Sequence, residues 1–295
     1  MNLTLTARPP FSLPAVIHSH GWFQLAPFQA DPDLSRLSYV SRLSTNQIVA
    51  LEIFQKEQGI AIRSPVDLDS GEQIDVLDQV AWMLGLNQDF SEFYSLIADE
   101  PKLAHMPERA QGRILRSPSL FEDTVKTILT TNTTWRGTIR MVSALVNSWG
   151  TPSSADPALR AFPAPEKIAA LDEDTLRSTA GLGYRAPYVL ALSRAVADGD
   201  LDLEAWKTAD ISTDELRQRL LAIKGVGSYA AANLLMLLGR YDFVPVDSWA
   251  RTLVSHEWHD GEPVGRAEVE AAFERWGKWK GLAYWFWHWS HRQDG

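Results

Sequence analysis

One carboxylate, Asp247, follows an extended apolar run, Phe243-Val244-Pro245-Val246, and directly precedes a helix-like run, Ser248 to His256. Pro245 stiffens that approach. A carboxylate held at a helix start can cap the helix by accepting a backbone N–H. It can also stabilise developing positive charge and direct a water. Twenty residues before it stands Gly227, the end of Lys224-Gly225-Val226-Gly227. This segment interrupts an apolar-periodic run, Leu216, Leu220, Leu221 and Ile223. Two glycines in three residues favour a tight turn with positive φ. Ser228 sits where an N-cap belongs, and Ala230 to Leu238 is a second apolar run stopped by Gly239. Residues 216–238 therefore read as helix, glycine hairpin, helix. A glycine turn beside a helix N-terminus aims several N–H groups at one point, which suits a phosphate.

Hairpin, spacing and Val-Pro-Val-Asp together resemble the helix-hairpin-helix DNA glycosylases, which excise damaged bases. The resemblance implies that Asp247 is the catalytic carboxylate. It implies that the turn, Lys224, Gly225, Val226, Gly227 and Tyr229, meets a DNA phosphate. It also implies that the carbonyls of Leu221, Ile223 and Val226 can hold an alkali cation, K+ or Na+, bridging to DNA. Two further motifs occur in family order. Thr130-Thr131-Asn132-Thr133-Thr134-Trp135 is a polar cluster between two helical runs. In the family this junction enters the DNA at the lesion, and an asparagine at the place of Asn132 helps fill the gap. The alkylation branch commonly has Gln-Gln there and the 8-oxoguanine branch an Asn-rich version. This chain is nearer the latter, with threonines.

Gly181-Leu182-Gly183-Tyr184-Arg185-Ala186 resembles the 8-oxoguanine glycosylases. There a tyrosine at the place of Tyr184 wedges into the duplex and an arginine at the place of Arg185 contacts the opposite base. A flipped base leaves a hole that a rigid side chain must fill. Position 229 departs from the members that also cut the backbone. They carry a lysine there to form a Schiff base, whereas Tyr229 has no amine. The resemblance then implies a monofunctional enzyme, with Tyr229 stacking on a cationic base as in the alkylation-repair relatives. The tail WGKWKGLAYWFWHWSHRQDG is rich in tryptophan, and Trp276, Trp279 and Trp285 fall on one helical face. A similar segment lends one wall of the base pocket in relatives, so Trp276 or Trp279 is expected there. Tyr229, Trp135 and Ser248 complete the expected pocket. His288 and His291 receive no role.

Composition sets bounds on partners. The chain has 295 residues, is 45% hydrophobic and has no cysteine. That excludes disulfides, thiolate zinc sites and a cysteine-ligated iron–sulfur cluster. No apolar run reaches membrane-spanning length and the first residues lack a signal-peptide pattern, so a cytosolic location is expected. The net charge of -9 argues against nucleic acid, but its distribution does not. Residues 31–100 hold thirteen acids against four bases, whereas residues 102–145 hold seven bases against three acids. Phosphate affinity follows the local face rather than the total. The expected partner is double-stranded DNA carrying a damaged base. Nothing indicates oligomerisation, and a monomer is expected.

Several elements must position these residues. Residues 1–70 look β-rich: Ala15 to Ile17, Gly21 to Leu25, Leu37 to Val40, Ile48 to Phe54 and Gly59 to Ile62. FSLPAVIHSHGWFQLAPF resembles the opening strand of bacterial alkylation-repair glycosylases. Strand spacing would put His18 and His20 on one face. No third ligand accompanies them, so they read as surface or interdomain residues. From Gly71 the period turns helical, with Ile74, Leu77, Val80, Ala81 and Leu84 on one face, and Asp89 to Ile97 gives a second helix. The expected class is mostly α with a small N-terminal antiparallel sheet (α+β). Residues 1–110 would form an α/β domain and residues 111–295 an all-helical domain, with no linker between them. Three readings stay open: an alkylated-base glycosylase, an oxidised-purine glycosylase, and a non-catalytic helix-hairpin-helix DNA-binding protein.

Overall fold

The structure, a computed structural model, describes residues 1–287; His288 and His291 lie outside the described residues. In chain order the elements are β1 (Asn2–Thr6), α1 (Leu13–Ile17), β2 (Phe28–Ala30), β3 (Arg36–Arg42), β4 (Ile48–Lys56) and β5 (Gly59–Arg63). Then come α2 (Ser70–Leu84), α3 (Ser91–Leu96), α4 (Leu120–Thr130), α5 (Trp135–Trp149), α6 (Pro165–Ala169), α7 (Glu173–Thr179) and α8 (Ala186–Ala197). The last helices are α9 (Thr213–Leu221), α10 (Ser228–Leu237), α11 (Ser248–Trp258), α12 (Arg266–Phe273) and α13 (Lys280–Trp287). The mostly helical class with a small antiparallel sheet is what the sequence pattern predicts.

The chain divides into two compact units that interleave. One contains residues 1–88 and 109–205, the other residues 89–108 and 206–295. This division differs from a single cut at residue 110. Residues 89–108 join the later unit because Phe93 packs its ring on Trp279 at 5.6 Å and Phe90 on Tyr241 at 6.3 Å.

In the first unit the sheet order is β1-β5-β4-β3-β2, antiparallel throughout. Its register aligns Leu37 with Ile53, Tyr39 with Leu51, and Ile53 with Ile62. Residues two apart share a face, and these are all buried. Ala15 to Ile17 is not a strand. Ser12 caps α1 by accepting the Ala15 N–H at 3.3 Å, and a proline occupies its first turn. Those signals override the β-branched Val16 and Ile17. His18 and His20 therefore share no strand face. His18 is exposed against Phe23, whereas His20 is buried with Nε2 2.5 Å from the Leu115 carbonyl. Burial holds His20 down to about 4. On α2 the buried stripe is Val76, Val80, Met83 and Leu84, while Ile74 points to solvent.

Helix α4 carries the sheet's support toward the site. Leu120 to Leu129 are all buried, including Glu122, Asp123 and Lys126. Lys126 Nζ lies 2.6 Å from Glu122 Oε1, Tyr39 donates to Glu122 Oε2 at 2.7 Å, and Trp22 Nε1 donates to Asp123 Oδ1 at 2.8 Å. A buried ion pair is tolerated only when its remaining atoms are bonded in this way. Asp123 Oδ2 and Thr127 Oγ1, one turn apart, are buried without a hydrogen bond. Burial pushes Asp123 up to about 6. A raised carboxyl pKa means a penalty on the fold that is present above pH 6 and relieved as pH falls toward the ordinary value. Asp123→Asn keeps the Oδ1 bonds, removes the charge and offers an N–H to Thr127. It is expected to raise the midpoint of thermal unfolding at pH 7.5 by several degrees, from about 2 kcal/mol of relieved burial. The gain should vanish by pH 4. Melting curves of both proteins across that range check this, and a variant less stable at pH 7.5 would refute it.

Candidate active site

The hairpin forms where the glycines demand it. Helix α9 is capped at Ala222, and the Val226 N–H donates to the Ile223 carbonyl at 3.0 Å to close the turn. Ile223 and Val226 point inward and anchor the turn. Gly225 has φ +90, a conformation that a side chain would strain. Gly227, not Ser228, is the N-cap of α10, with φ -89 and no side-chain cap. Ser228 is the first helical residue. A Cβ on Gly227 would meet nothing within 4 Å. Among the described residues, neither backbone angle nor packing requires a glycine there. Lys224, Gly227, Ser228 and Tyr229 are exposed, Tyr229 by 48%. The turn offers neutral main-chain oxygens, a donor set that suits an alkali cation and no thiophilic metal.

Asp247 is held from two sides. Its Oδ1 accepts the Ala250 N–H at 2.8 Å, capping α11. Among the described residues Oδ2 makes no hydrogen bond. The approach from Tyr241 to Val246 is fixed by α13: the Gly281 N–H donates to the Tyr241 carbonyl at 2.6 Å. A Cβ on Gly281 would lie 2.3 Å from the Phe243 carbonyl, so only glycine allows this contact. Arg217 of α9 stacks 4.9 Å over Phe243 and ties the hairpin's first helix to the same segment. Tyr284, one turn after Gly281, is buried; burial pushes its hydroxyl up, and the charge of Asp247 pushes it further. Tyr284 thus lies within the field of the carboxylate. No motif in the sequence marks Tyr284, because the surrounding tryptophans dominate the pattern.

Trp276 is too buried to form the expected wall, and Trp279 is half-buried. Trp276 is buried against Phe273 at 5.6 Å and Trp287 at 5.4 Å. Trp279 stacks on Tyr241 at 5.6 Å, beside Phe93. The single helical face assumed for them does not exist, because Gly277 has φ 51 and ψ -124 and breaks the helix between them. Trp276 is interior packing of the second unit, whereas Trp279 is only half-buried.

The first unit carries the other expected residues: Asn132, Trp135, Tyr184 and Arg185. Helix α4 ends at Thr130, and Asn132 turns with φ 46 in the left-handed region that asparagine tolerates. Gly181 and Gly183 have φ 67 and 57, which lets the second loop turn sharply before Tyr184. Tyr184 is 47% exposed, and its hydroxyl donates to the Thr131 carbonyl at 3.2 Å. Asn132 and Tyr184 therefore project from two loops bonded to each other. Arg185, expected to face outward, is only 6% exposed. Its Nε donates to the Thr131 carbonyl at 3.1 Å, and its Nη2 to the Asn132 carbonyl at 3.1 Å. Trp135 lies flat over Gly21, where a Cβ would fall 2.2 Å from its ring, and its Nε1 donates to Gln24 at 2.5 Å. The need for a bare residue at Gly21 had no signal in the sequence. The second unit holds Lys224, Gly225, Val226, Gly227, Tyr229, Asp247 and Ser248. Chemically, the second unit joins an anion-ready turn to a half-bonded carboxylate, and the first presents a stiff aromatic and an amide side by side.

A family model for the HhH-GPD superfamily base excision DNA repair protein matches residues 125–278, just over half of the chain. The probable N-glycosylase/DNA lyase of Methanothermobacter thermautotrophicus is 23% identical over 251 residues, 77% of this chain and 78% of that protein. The 3-methyladenine DNA-glycosylase from Archaeoglobus fulgidus superposes with a TM-score of 0.78 at 21% identity, covering 99% of this chain and 98% of that one. The Clostridium acetobutylicum 8-oxoguanine glycosylase/lyase, in complex with double-stranded DNA containing cytosine opposite 8-oxoG, superposes with a TM-score of 0.75 at 18% identity. That match covers 100% of this chain and 98% of that one. At these identities the structural likeness speaks for the fold.

Proposed function

The chain belongs to the HhH-GPD superfamily of base excision DNA repair proteins, and from that premise we propose that it is a monofunctional DNA glycosylase acting on flipped, alkylated purines in duplex DNA. The observation that carries this reading is Tyr229, an exposed aromatic in the first turn after the hairpin, where a lyase needs an amine. Lys224 precedes the hairpin, where a phosphate contact is its simpler use.

Cleavage of an N-glycosidic bond passes through a sugar with oxocarbenium character, as in O-glycoside hydrolysis. The turn at Gly225 and Gly227 would seat a phosphate near the target nucleotide, and an alkali cation on the Leu221, Ile223 and Val226 carbonyls would add positive charge there. Asn132 and Tyr184 would occupy the space that the flipped base leaves. As the bond from C1′ to the base nitrogen breaks, its electron pair leaves with the base. Asp247 would stabilise the cationic sugar and accept the proton of the water that adds to C1′. An alkylated purine already carries positive charge, so it departs neutral and needs no acid. Tyr229, with Ser248, would present the π face and polar edge that hold such a base. A second reading, an oxidised-purine glycosylase, is favoured by Gly-Leu-Gly-Tyr-Arg-Ala and by Asn132 in place of Gln-Gln.

The test is base release from duplexes carrying a methylated adenine, hypoxanthine or 8-oxoguanine, with and without alkali and borohydride. Strand breaks only after alkali, on the methylated duplex, are the expected result. A borohydride-trapped adduct overturns the monofunctional reading and assigns lyase chemistry to a lysine such as Lys224. Release confined to 8-oxoguanine establishes the second reading instead.

A further inference from the structure

We infer that Arg185 is a positioning residue that locks the two DNA-facing loops together, and that it does not read the base opposite the lesion. The inference rests on the glycosylase reading and concerns the loops that carry Asn132 and Tyr184.

The guanidinium finds partners on all three nitrogens inside the first unit. Nε and Nη2 both donate to the Thr131 carbonyl, and Nη2 also donates to the Asn132 carbonyl. Nη1 faces the Met141 sulfur at 4.0 Å. The Tyr184 ring covers the cation, its centroid 4.5 Å from Cζ. Tyr184 is backed in turn by Tyr188, edge-on at 6.2 Å. The two carbonyls belong to the turn that leaves α4, where no further helical N–H can reach them. They also lie at the negative end of that helix, which favours a cation. Among the described residues no carboxylate pairs with Arg185. The one planar fork joins the Thr131 and Asn132 carbonyls, and it supports the ring meant to fill the duplex.

This assignment conflicts with base readout on simple grounds. A guanidinium that bonds an opposite base must leave Thr131 and Asn132, and hydrogen bonds to charged groups are among the stronger ones in proteins. Leaving would also free the left-handed Asn132 turn and uncover the Tyr184 ring. The two jobs exclude each other, and at 6% exposure the side chain is placed for bonding the loop carbonyls. Opposite-base preference then falls to other groups, or is weak.

The test uses the full chain and duplexes containing a tetrahydrofuran abasic analogue opposite each of the four bases, with 2-aminopurine beside the analogue. Affinity is read by fluorescence anisotropy and unstacking by 2-aminopurine emission. Wild type is compared with Arg185→Met, Arg185→Lys and Arg185→Gln. Positioning predicts that Arg185→Met binds all four duplexes more weakly by a similar factor, about tenfold, with a smaller emission rise. Arg185→Lys and Arg185→Gln, which keep a donor for Thr131, should recover part of both signals. A loss confined to one opposite base overturns the inference, and so does an unchanged emission rise. If Arg185→Met does not fold, the same two patterns in the lysine and glutamine variants decide. Wild type that binds the abasic duplex no better than an intact one overturns the glycosylase reading itself, and this inference with it.

Discussion

Asp247→Asn is expected to lower base release by about 10²–10⁴-fold, the usual contribution of a positioned acid or base, with no change in the unfolding midpoint. The two halves of that result come from the two oxygens. Oδ1 caps α11 at the Ala250 N–H, and asparagine caps a helix as well as aspartate does. Only the negative charge is lost, and with it the stabilisation of a cationic sugar. Asp247→Ala separates the roles further. It should lose the same activity and also destabilise the chain by about 1 kcal/mol, the value of a cap. Single-turnover base release and melting curves on the three proteins check this. If Asp247→Asn retains activity within a few-fold, the residue is a cap alone and the catalytic group lies elsewhere; base release absent from wild type as well would return the non-catalytic reading.

The second large effect separates the two hairpin glycines. Gly227→Ala is expected to fold normally, because φ -89 suits any residue and a Cβ there meets open space. Alanine is a poorer N-cap than glycine, but it loses less chain entropy on folding, and the two effects are of similar size. DNA affinity should nevertheless fall about 10–100-fold, since the methyl would stand where the proposed phosphate approaches. The slope of affinity against salt should shrink by about one charge. Gly225→Ala should do the reverse, destabilising the fold by about 1–3 kcal/mol through its φ of +90. Melting curves and salt titrations of binding are the readouts. Unchanged affinity for Gly227→Ala would remove the turn from the DNA contact.

Much of the site was legible because it rests on local rules. Two glycines in Lys-Gly-Val-Gly dictate a turn, Pro-Val-Asp before a polar residue dictates a cap, and alternation identified β3, β4 and β5. The parts that were missed turn on helix breaks, caps and partners that a periodic pattern does not weigh. Trp276 and Trp279 look alike on a helical wheel until Gly277 breaks the helix. Val16 and Ile17 look like a strand until Ser12 and a proline start a helix. Glu122 and Asp123 look like solvated acids at a helix start, yet Tyr39, Trp22 and Lys126, all outside their own turn, allow their burial. Arg185 illustrates the sharpest difference. Its motif suggested an outward reach, and only the placement of the Thr131 carbonyl shows the inward one.

The interleaving of the two units bears on how the polypeptide matures during translation. When residue 108 has left the ribosome, Phe93, Ile97, Leu103 and Met106, all fully covered in the finished molecule, have been made without their partners. Those partners lie beyond residue 206, nearly a hundred residues later. The sheet unit can close around residue 205 while this greasy detour still waits. A nascent chain of this design therefore carries an apolar segment in need of shelter for several seconds at ordinary elongation rates of about 5–20 residues per second. The order of synthesis, which a folded structure does not otherwise display, is written into where the chain crosses from one unit to the other.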